Sequence, residues 1–392
     1  MNITSQTEKP LHLRVITYTL SFFLAIHGYL VVYINSSALS QIIPPQAVGL
    51  LYTFGALLSV IGLSFLPKIL SKVGDFRATL SFLIVEVCTM TALAVFFPSP
   101  VVVVLFLVHV MIMQFLRYNI DIFLESDSKD EQTGSIRGIF LTINNIALVC
   151  APFVIGKILK GGNDYSAVYT IATLALIPAL LILGLWLKQF KDVHYHQAPL
   201  LKTIKRLKHL PSVRRIIICD FLLRFFYSWM VIYTPLYLHE YVGLPWSSIG
   251  IIFTIMLLPF ALFEFPLGRL SDTRYGEKEF LTAGFLILGI ATASISFIGS
   301  TSLPLWALIL FLTRTGASAV EIMTETYFFK KTDHEDADII SLFRMSESGA
   351  YIVAPLLATV LLFILPLQYL FLILGVIALS GILFARKIRD TR

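Results

Sequence analysis

Ionisable side chains set inside long apolar stretches are the residues of this chain that could do chemistry. A charge at bilayer depth is expensive and is kept where it pairs, binds an ion or touches a solute. Arg117 and Asp121 stand in one such stretch, Arg224 in a second, Arg314, Glu321 and Glu325 in a third, and Arg344 with Glu347 in a fourth. Spacing sorts them into faces. Arg117, Asp121 and Glu125 recur every four residues on one helical face, and Arg314, Glu321 and Glu325 share another. Arg117 and Asp121 can pair within their helix, and Glu125 is placed to reach Lys72. Asp121, Glu125 and Glu325 lie toward polar loops with bases nearby, so they read as structural ion pairs. Arg314 is different. It sits near mid-stretch with its like-face acids two turns away, and a substrate or coupling-ion contact is expected of it. Arg117, Arg224, Arg344, Glu321 and Glu347 are open to either reading.

Weaker candidates are polar and aromatic residues near the middle of apolar runs: His27, Tyr29, Tyr33, Asn144, Asn145, Tyr227 and Tyr351. His27 reads as a lone hydrogen-bonded imidazole. Glu86, Asp220 and Glu264 lie nearer the ends of their runs, where snorkelling lowers the cost of a charge. Cys88, Cys150 and Cys219 fall in apolar surroundings and read as small hydrophobes. No run of His and Cys has ligand spacing, so no metal, cofactor or catalytic constellation is expected. No Gly-x-x-x-x-Gly-Lys-Ser/Thr loop is present, which argues against ATP use by this chain.

The elements that must position these side chains follow from composition. The 392 residues are 57% hydrophobic and 14% charged with a mean hydropathy of +0.82, against about a quarter charged in soluble domains. Twelve runs are long enough for a bilayer core, which needs roughly 20 helical residues. They cover about 15–35, 48–66, 78–97, 101–124, 136–158 and 167–187, then 216–238, 249–267, 280–298, 303–329, 339–365 and 369–384. Outside these runs, Lys and Arg cluster on the amino-terminal side of the membrane, and the other side takes only Lys157 and Lys160. By the positive-inside rule both termini are cytoplasmic. The net charge of +6 reflects this asymmetry and not a nucleic-acid partner. No cleavable signal peptide is expected, because the first apolar run is too long for one.

The chain also repeats itself. Lys72-Val73-Gly74-Asp75 returns as Arg274-Tyr275-Gly276-Glu277, Ala151-Pro152 as Ala354-Pro355, and Leu51-Tyr52-Thr53 as Ile252-Phe253-Thr254, each after about 200 residues. Equal offsets mean two halves built to one plan, as in many secondary transporters, whose site lies between repeats. Residues 1–190 and 212–392 are the expected six-helix bundles. Residues 191–211 join them: Leu200, Leu201, Ile204 and Leu207 share a face opposite Lys202, Lys205, Arg206 and Lys208, as in a basic amphipathic helix on the inner leaflet.

The loop Gly268, Asp272, Arg274, Gly276 and Lys278, with its fainter copy around Ser71, Lys72, Gly74 and Arg77, resembles the loop signature of the major facilitator superfamily. The second copy carries one extra residue between Asp272 and Gly276, and the first has Pro67 and Ser71 where the signature has Gly and Asp. Gln114-Phe115-Leu116-Arg117 is similar to the family's embedded fourth-helix arginine, without its Gly-rich continuation. Ala151-Pro152 followed by Gly156 resembles the Gly-Pro-Gly motif of its antiporters and leans toward export. The resemblance implies an all-α membrane protein of twelve transmembrane helices in two pseudo-symmetric bundles. It implies a secondary transporter moving a small organic solute by alternating access, with protons as the candidate coupling ion. Excess arginine at membrane depth leans toward an anionic or zwitterionic solute. The implied cytoplasmic gate comprises Asp272, Arg274, Glu325, Gly276, Lys72, Gly74, Asp121 and Glu125. A multi-pass monomer in a cell membrane, of bacterial inner-membrane type, is expected. The alternative is a non-transporting receptor or scaffold on the same fold.

Overall fold

The computed structural model describes residues 9–125, 133–188, 206–273, 276–332 and 337–388. The amino-terminal helices are α1 (Lys9–Val32), α2 (Asn35–Ser40), α3 (Pro45–Val73), α4 (Asp75–Phe96), α5 (Val101–Glu125), α6 (Thr133–Leu159) and α7 (Tyr165–Trp186). They are followed by α8 (Pro211–Leu236), α9 (Trp246–Thr273), α10 (Glu277–Ser294), α11 (Leu303–Lys331), α12 (Ala337–Arg344), α13 (Ser346–Leu362) and α14 (Gln368–Ala385). Among the described residues no strand occurs, and twelve helical segments are long and apolar enough to cross a membrane. This is an all-α, multi-pass membrane protein.

Each span has two faces. On α7, Val168, Ala172, Leu176, Ala179 and Leu183 are buried, while Leu174, Ile177, Leu181 and Leu185 are exposed. Both sets follow helical spacing, and the exposed one is as apolar as the buried one. In water that stripe would be a liability; against lipid it is the expected surface.

Several boundaries depart from expectation for local reasons. The first motif is not a loop over 67–77. Helix α3 carries Pro67 inside it and continues to Val73, and the whole reversal falls on Gly74, whose φ of 87° suits only glycine. Gly276, its counterpart, has φ −81° and caps α10 in an ordinary extended conformation. Positive φ therefore explains one motif glycine and not the other. The eleventh expected span is two helices, α12 and α13, meeting at Met345. The seventh runs from α8 into a π-helical turn, Tyr237–Tyr241, just after Pro235. Proline lacks the N–H that would continue the ladder, and a wider turn absorbs the gap.

Contacts divide the chain into two compact units, Met1–Ile42 with Phe54–Tyr195 and Ile43–Thr53 with His196–Arg392. In the first, α1 packs against α6 and α7, and α4 packs against α5 and α7. In the second, α10 lies between α11 and α14, α9 lies on α11, and α8 touches α11, α13 and α14. Close approach there depends on paired glycines. A Cβ on Gly316 would come within 2.6 Å of the Gly284 carbonyl oxygen, and one on Gly375 within 2.6 Å of the Gly289 carbonyl oxygen. Small residues at such crossings are how membrane helices gain van der Waals contact without a hydrophobic driving force.

Candidate functional site

Helix α11 places Arg314, Glu321 and Glu325 in a file along one face, as their spacing requires. Each finds company from a different helix. At the exposed end, Arg344 at the close of α12 grips Glu325 with two bonds, Nη1 to Oε1 at 2.7 Å and Nη2 to Oε2 at 3.3 Å. Deeper, Arg224 of α8 donates from Nη1 to Glu321 Oε1 at 3.1 Å, and the Tyr227 hydroxyl donates to Oε2 at 2.7 Å. Arg224 Nε also lies 3.4 Å from Asp220 Oδ1 one turn away, and Asp220 Oδ2 accepts from the Ser346 hydroxyl. Deepest is Arg314. Its guanidinium stands over the Phe226 and Tyr227 rings at 5.0 and 5.4 Å.

Exposure grades this file. The Arg344 and Glu325 side chains are 45% and 26% exposed, and Arg224 and Glu321 are 17% and 24%. Arg314 is 2% exposed, and its Nε and Nη1 have no hydrogen-bond partner among the described residues. Ring faces stabilise a cation by about 0.5–2 kcal/mol and satisfy none of its N–H donors. Arg314 is thus sheathed but unsatisfied.

A second cluster lies in the first unit. Glu86 Oε1 of α4 lies 2.9 Å from His27 Nε2 of α1 and 2.6 Å from His109 Nδ1 of α5. All three are buried. Two expectations are corrected here. His27 is not a lone imidazole, and Glu86 does not snorkel, because the packing of α4 on α5 and α7 closes over it. Asp220 is likewise buried by its Ser346 and Arg224 partners and does not reach an interface. His109 was not selected from the sequence. A second histidine in an apolar run, on a helix packed beside that of Glu86, was the signal available.

The remaining candidates are dispersed. Arg117 and Asp121 are exposed on α5, and Asn144 accepts from the Ser21 hydroxyl at 2.8 Å. Glu347 and Tyr351 are half-buried on α13. Lys72 is exposed in the last turn of α3. The side chains of Glu125 and Asp272, all of Arg274, and residues 191–205 of the linker lie outside the described residues. Glu277, beside Gly276, meets the carboxy-terminal end of α11, where it pairs with Lys330 at 2.9 Å. Glu277 repeats Asp75, and both are buried at the start of their helices. The echo itself marked these two acids.

The profile of the Major Facilitator Superfamily matches residues 221–392, the part of the chain that carries this charged file. That match covers the carboxy-terminal 172 of the 392 residues. No curated protein matches the sequence. Among solved structures the fold is shared with an auto inhibited POT family peptide transporter, at TM-score 0.73 and 11% identity over 98% of each chain. A peptide transporter POT in complex with alafosfalin superposes at 0.72, with 14% identity over 95% of this chain and 93% of that one. A POT family transporter in complex with a thioalcohol conjugated peptide gives 0.75, with 12% identity over 94% of each.

Proposed function

We propose that this chain is a secondary transporter of the major facilitator type, working by alternating access, and that it moves a small anionic or zwitterionic organic solute, with Arg314 as the counter-charge for its anionic group. The observation that supports this is the unsatisfied guanidinium. A buried cation with two of its three guanidinium nitrogens unpartnered is costly, and a solute carboxylate or phosphonate would supply the missing acceptors in charge-assisted bonds. Glu321 and Glu325, farther along the same face, are the groups for a solute's cationic end or for coupling protons. The halves 1–190 and 212–392 act as the moving bodies of a monomer in a cell membrane of bacterial inner-membrane type, with both termini cytoplasmic. The charge relay of Asp272, Arg274 and Glu325, with Gly276, Lys72, Gly74, Asp121 and Glu125, belongs to its cytoplasmic gate.

The solved transporters in complex with alafosfalin and with a conjugated peptide make short peptides the first compounds to test. In proteoliposomes, Arg314→Ala is expected to lower transport of the solute at least about 100-fold, the loss of one charge-assisted contact worth about 2.7 kcal/mol. Arg314→Lys restores only part, since a point charge does not replace the fork. Thermal stability of Arg314→Ala is expected to hold or rise, because an unpaired buried charge is gone. Wild-type transport in Arg314→Ala overturns the assignment.

A further inference from the structure

We propose that His27, Glu86 and His109 form a binding site for a divalent transition-metal ion, with zinc the best fit to the donor set. The three ligand atoms, His27 Nε2, Glu86 Oε1 and His109 Nδ1, lie within 4.8 Å of one another. They come from α1, α4 and α5, so the ion would tie three helices that sequence places far apart. This site is independent of the solute reading, which concerns the other unit.

Four observations converge. First, Glu86 is fully buried and the ionisable groups beside it are the two imidazoles, with no Lys or Arg against it among the described residues. The arginines and acids of the packed helices, Arg77 and Asp75 on α4 and Arg117 and Asp121 on α5, stand two turns or more away along their helices. Second, its other oxygen, Oε2, has no hydrogen-bond partner among the described residues. That oxygen is open to a further donor or a cation, which a buried polar atom ordinarily finds. Third, His27 Nδ1 lies 3.0 Å from the Ala172 carbonyl oxygen of α7. A carbonyl only accepts, so Nδ1 carries the hydrogen and Nε2 is the nitrogen left to face Glu86 Oε1. A metal-bound imidazole is oriented in this way by a second-shell carbonyl. Fourth, the donors are imidazole and carboxylate, a set that suits zinc better than calcium or magnesium.

Without a cation the same geometry is awkward. His27 faces an acceptor at each nitrogen, the Ala172 carbonyl oxygen and Glu86 Oε1. With zinc, neutral imidazoles and the carboxylate make a three-ligand site with one open position. Zinc–donor bonds near 2.0–2.1 Å put tetrahedral ligands about 3.3 Å apart. The donors stand 2.6 and 2.9 Å apart, so binding asks for a side-chain opening of a few tenths of an ångström.

The experiment uses the full chain in detergent, stripped with chelator and then titrated with zinc or cobalt. Expected are one zinc per chain by elemental analysis, a higher melting temperature with zinc, and the visible spectrum of tetrahedral cobalt. Glu86→Gln, which keeps the shape and loses the charge, is expected to lower zinc affinity more than about 100-fold, beyond the range of a second-shell change. His109→Cys keeps a ligand, so it should retain zinc and add a thiolate–cobalt charge-transfer band. That band places the ion at this site even if Glu86→Gln fails to fold. Absence of stoichiometric zinc and of a tetrahedral cobalt spectrum in the wild-type protein overturns the proposal. So does zinc binding unchanged in both variants, and so does a stability that follows pH alone and ignores added metal.

Discussion

The two buried polar clusters of this protein solve the cost of charge in opposite ways. Around Glu86 a single carboxylate is enclosed by two imidazoles, compact and sealed from solvent. Along α11 the charges are spread over three levels, from the exposed Arg344–Glu325 pair, through Arg224 and Glu321, to the unsatisfied Arg314. The first arrangement suits a small ion that replaces protons. The second suits a solute with extent, which can exchange protein partners for its own groups as it moves. The two units hold different chemistry in their interiors. Fold similarity alone would not show this, because function lies in the grafted site.

The strongest way to break the contrast is at the middle level. Arg224 holds Glu321 and faces Asp220, so its removal leaves two acids in a mostly closed interior. Arg224→Ala is expected to cost about 3–5 kcal/mol of stability, as for one partner taken from a buried pair. The joint change Arg224→Met with Glu321→Met should recover most of that while transport stays lost. Unfolding in mixed detergent compared with flux in proteoliposomes separates the two. If Arg224→Ala is as stable as wild type, the middle level is not held by this ion pair.

Much of this was legible in the sequence because bilayers impose simple rules. Length and hydropathy placed twelve spans, and helical period placed Arg314, Glu321 and Glu325 on one face of α11. The period of α11 fixes where its own side chains point. It does not fix which residues of α8 or α12 stand opposite, and so Tyr227 on Glu321 and Arg344 on Glu325 needed the packing. The Glu86 cluster was illegible for the same reason. His27, Glu86 and His109 share no helix, and only the packing of α4 on α5 and of α1 beside them brings the rings to one oxygen. Position along α4 alone suggests a snorkelling end charge at Glu86, and it carries no information about the neighbours that bury it.

A smaller effect separates the two copies of the loop motif. Gly74 makes the α3–α4 reversal at φ 87°, whereas Gly276 sits at φ −81°. Gly74→Ala should cost about 1–3 kcal/mol in backbone strain, and Gly276→Ala only a few tenths, as for a glycine replaced at a helix cap. Equal melting-temperature shifts for the two variants would mean that the copies bear the same strain, against the observed backbone.

The smallest effect is expected where exposure is greatest, and it tests whether depth grades the file. Arg344 and Glu325 meet through two hydrogen bonds, which is good geometry, yet both side chains are reached by solvent. Water screens such a pair and competes for its donors, so its net worth falls to about 0–1 kcal/mol. Arg344 also lies over the Phe329 and Phe343 rings at 5.6 and 5.7 Å, so part of its contribution survives loss of the acid. A double-mutant cycle of Glu325→Gln and Arg344→Gln should therefore give a coupling energy below about 1 kcal/mol. The same cycle on Arg224 and Glu321, with Glu321→Gln, should give a larger one, since less water reaches it. Flux should respond more than stability at the outer pair, because a weak pair that a charged solute can open is a feature of entry and not of folding. Equal coupling at the two levels would show that exposure does not set the strength of these pairs, and the graded file would reduce to two like ion pairs beside a buried arginine.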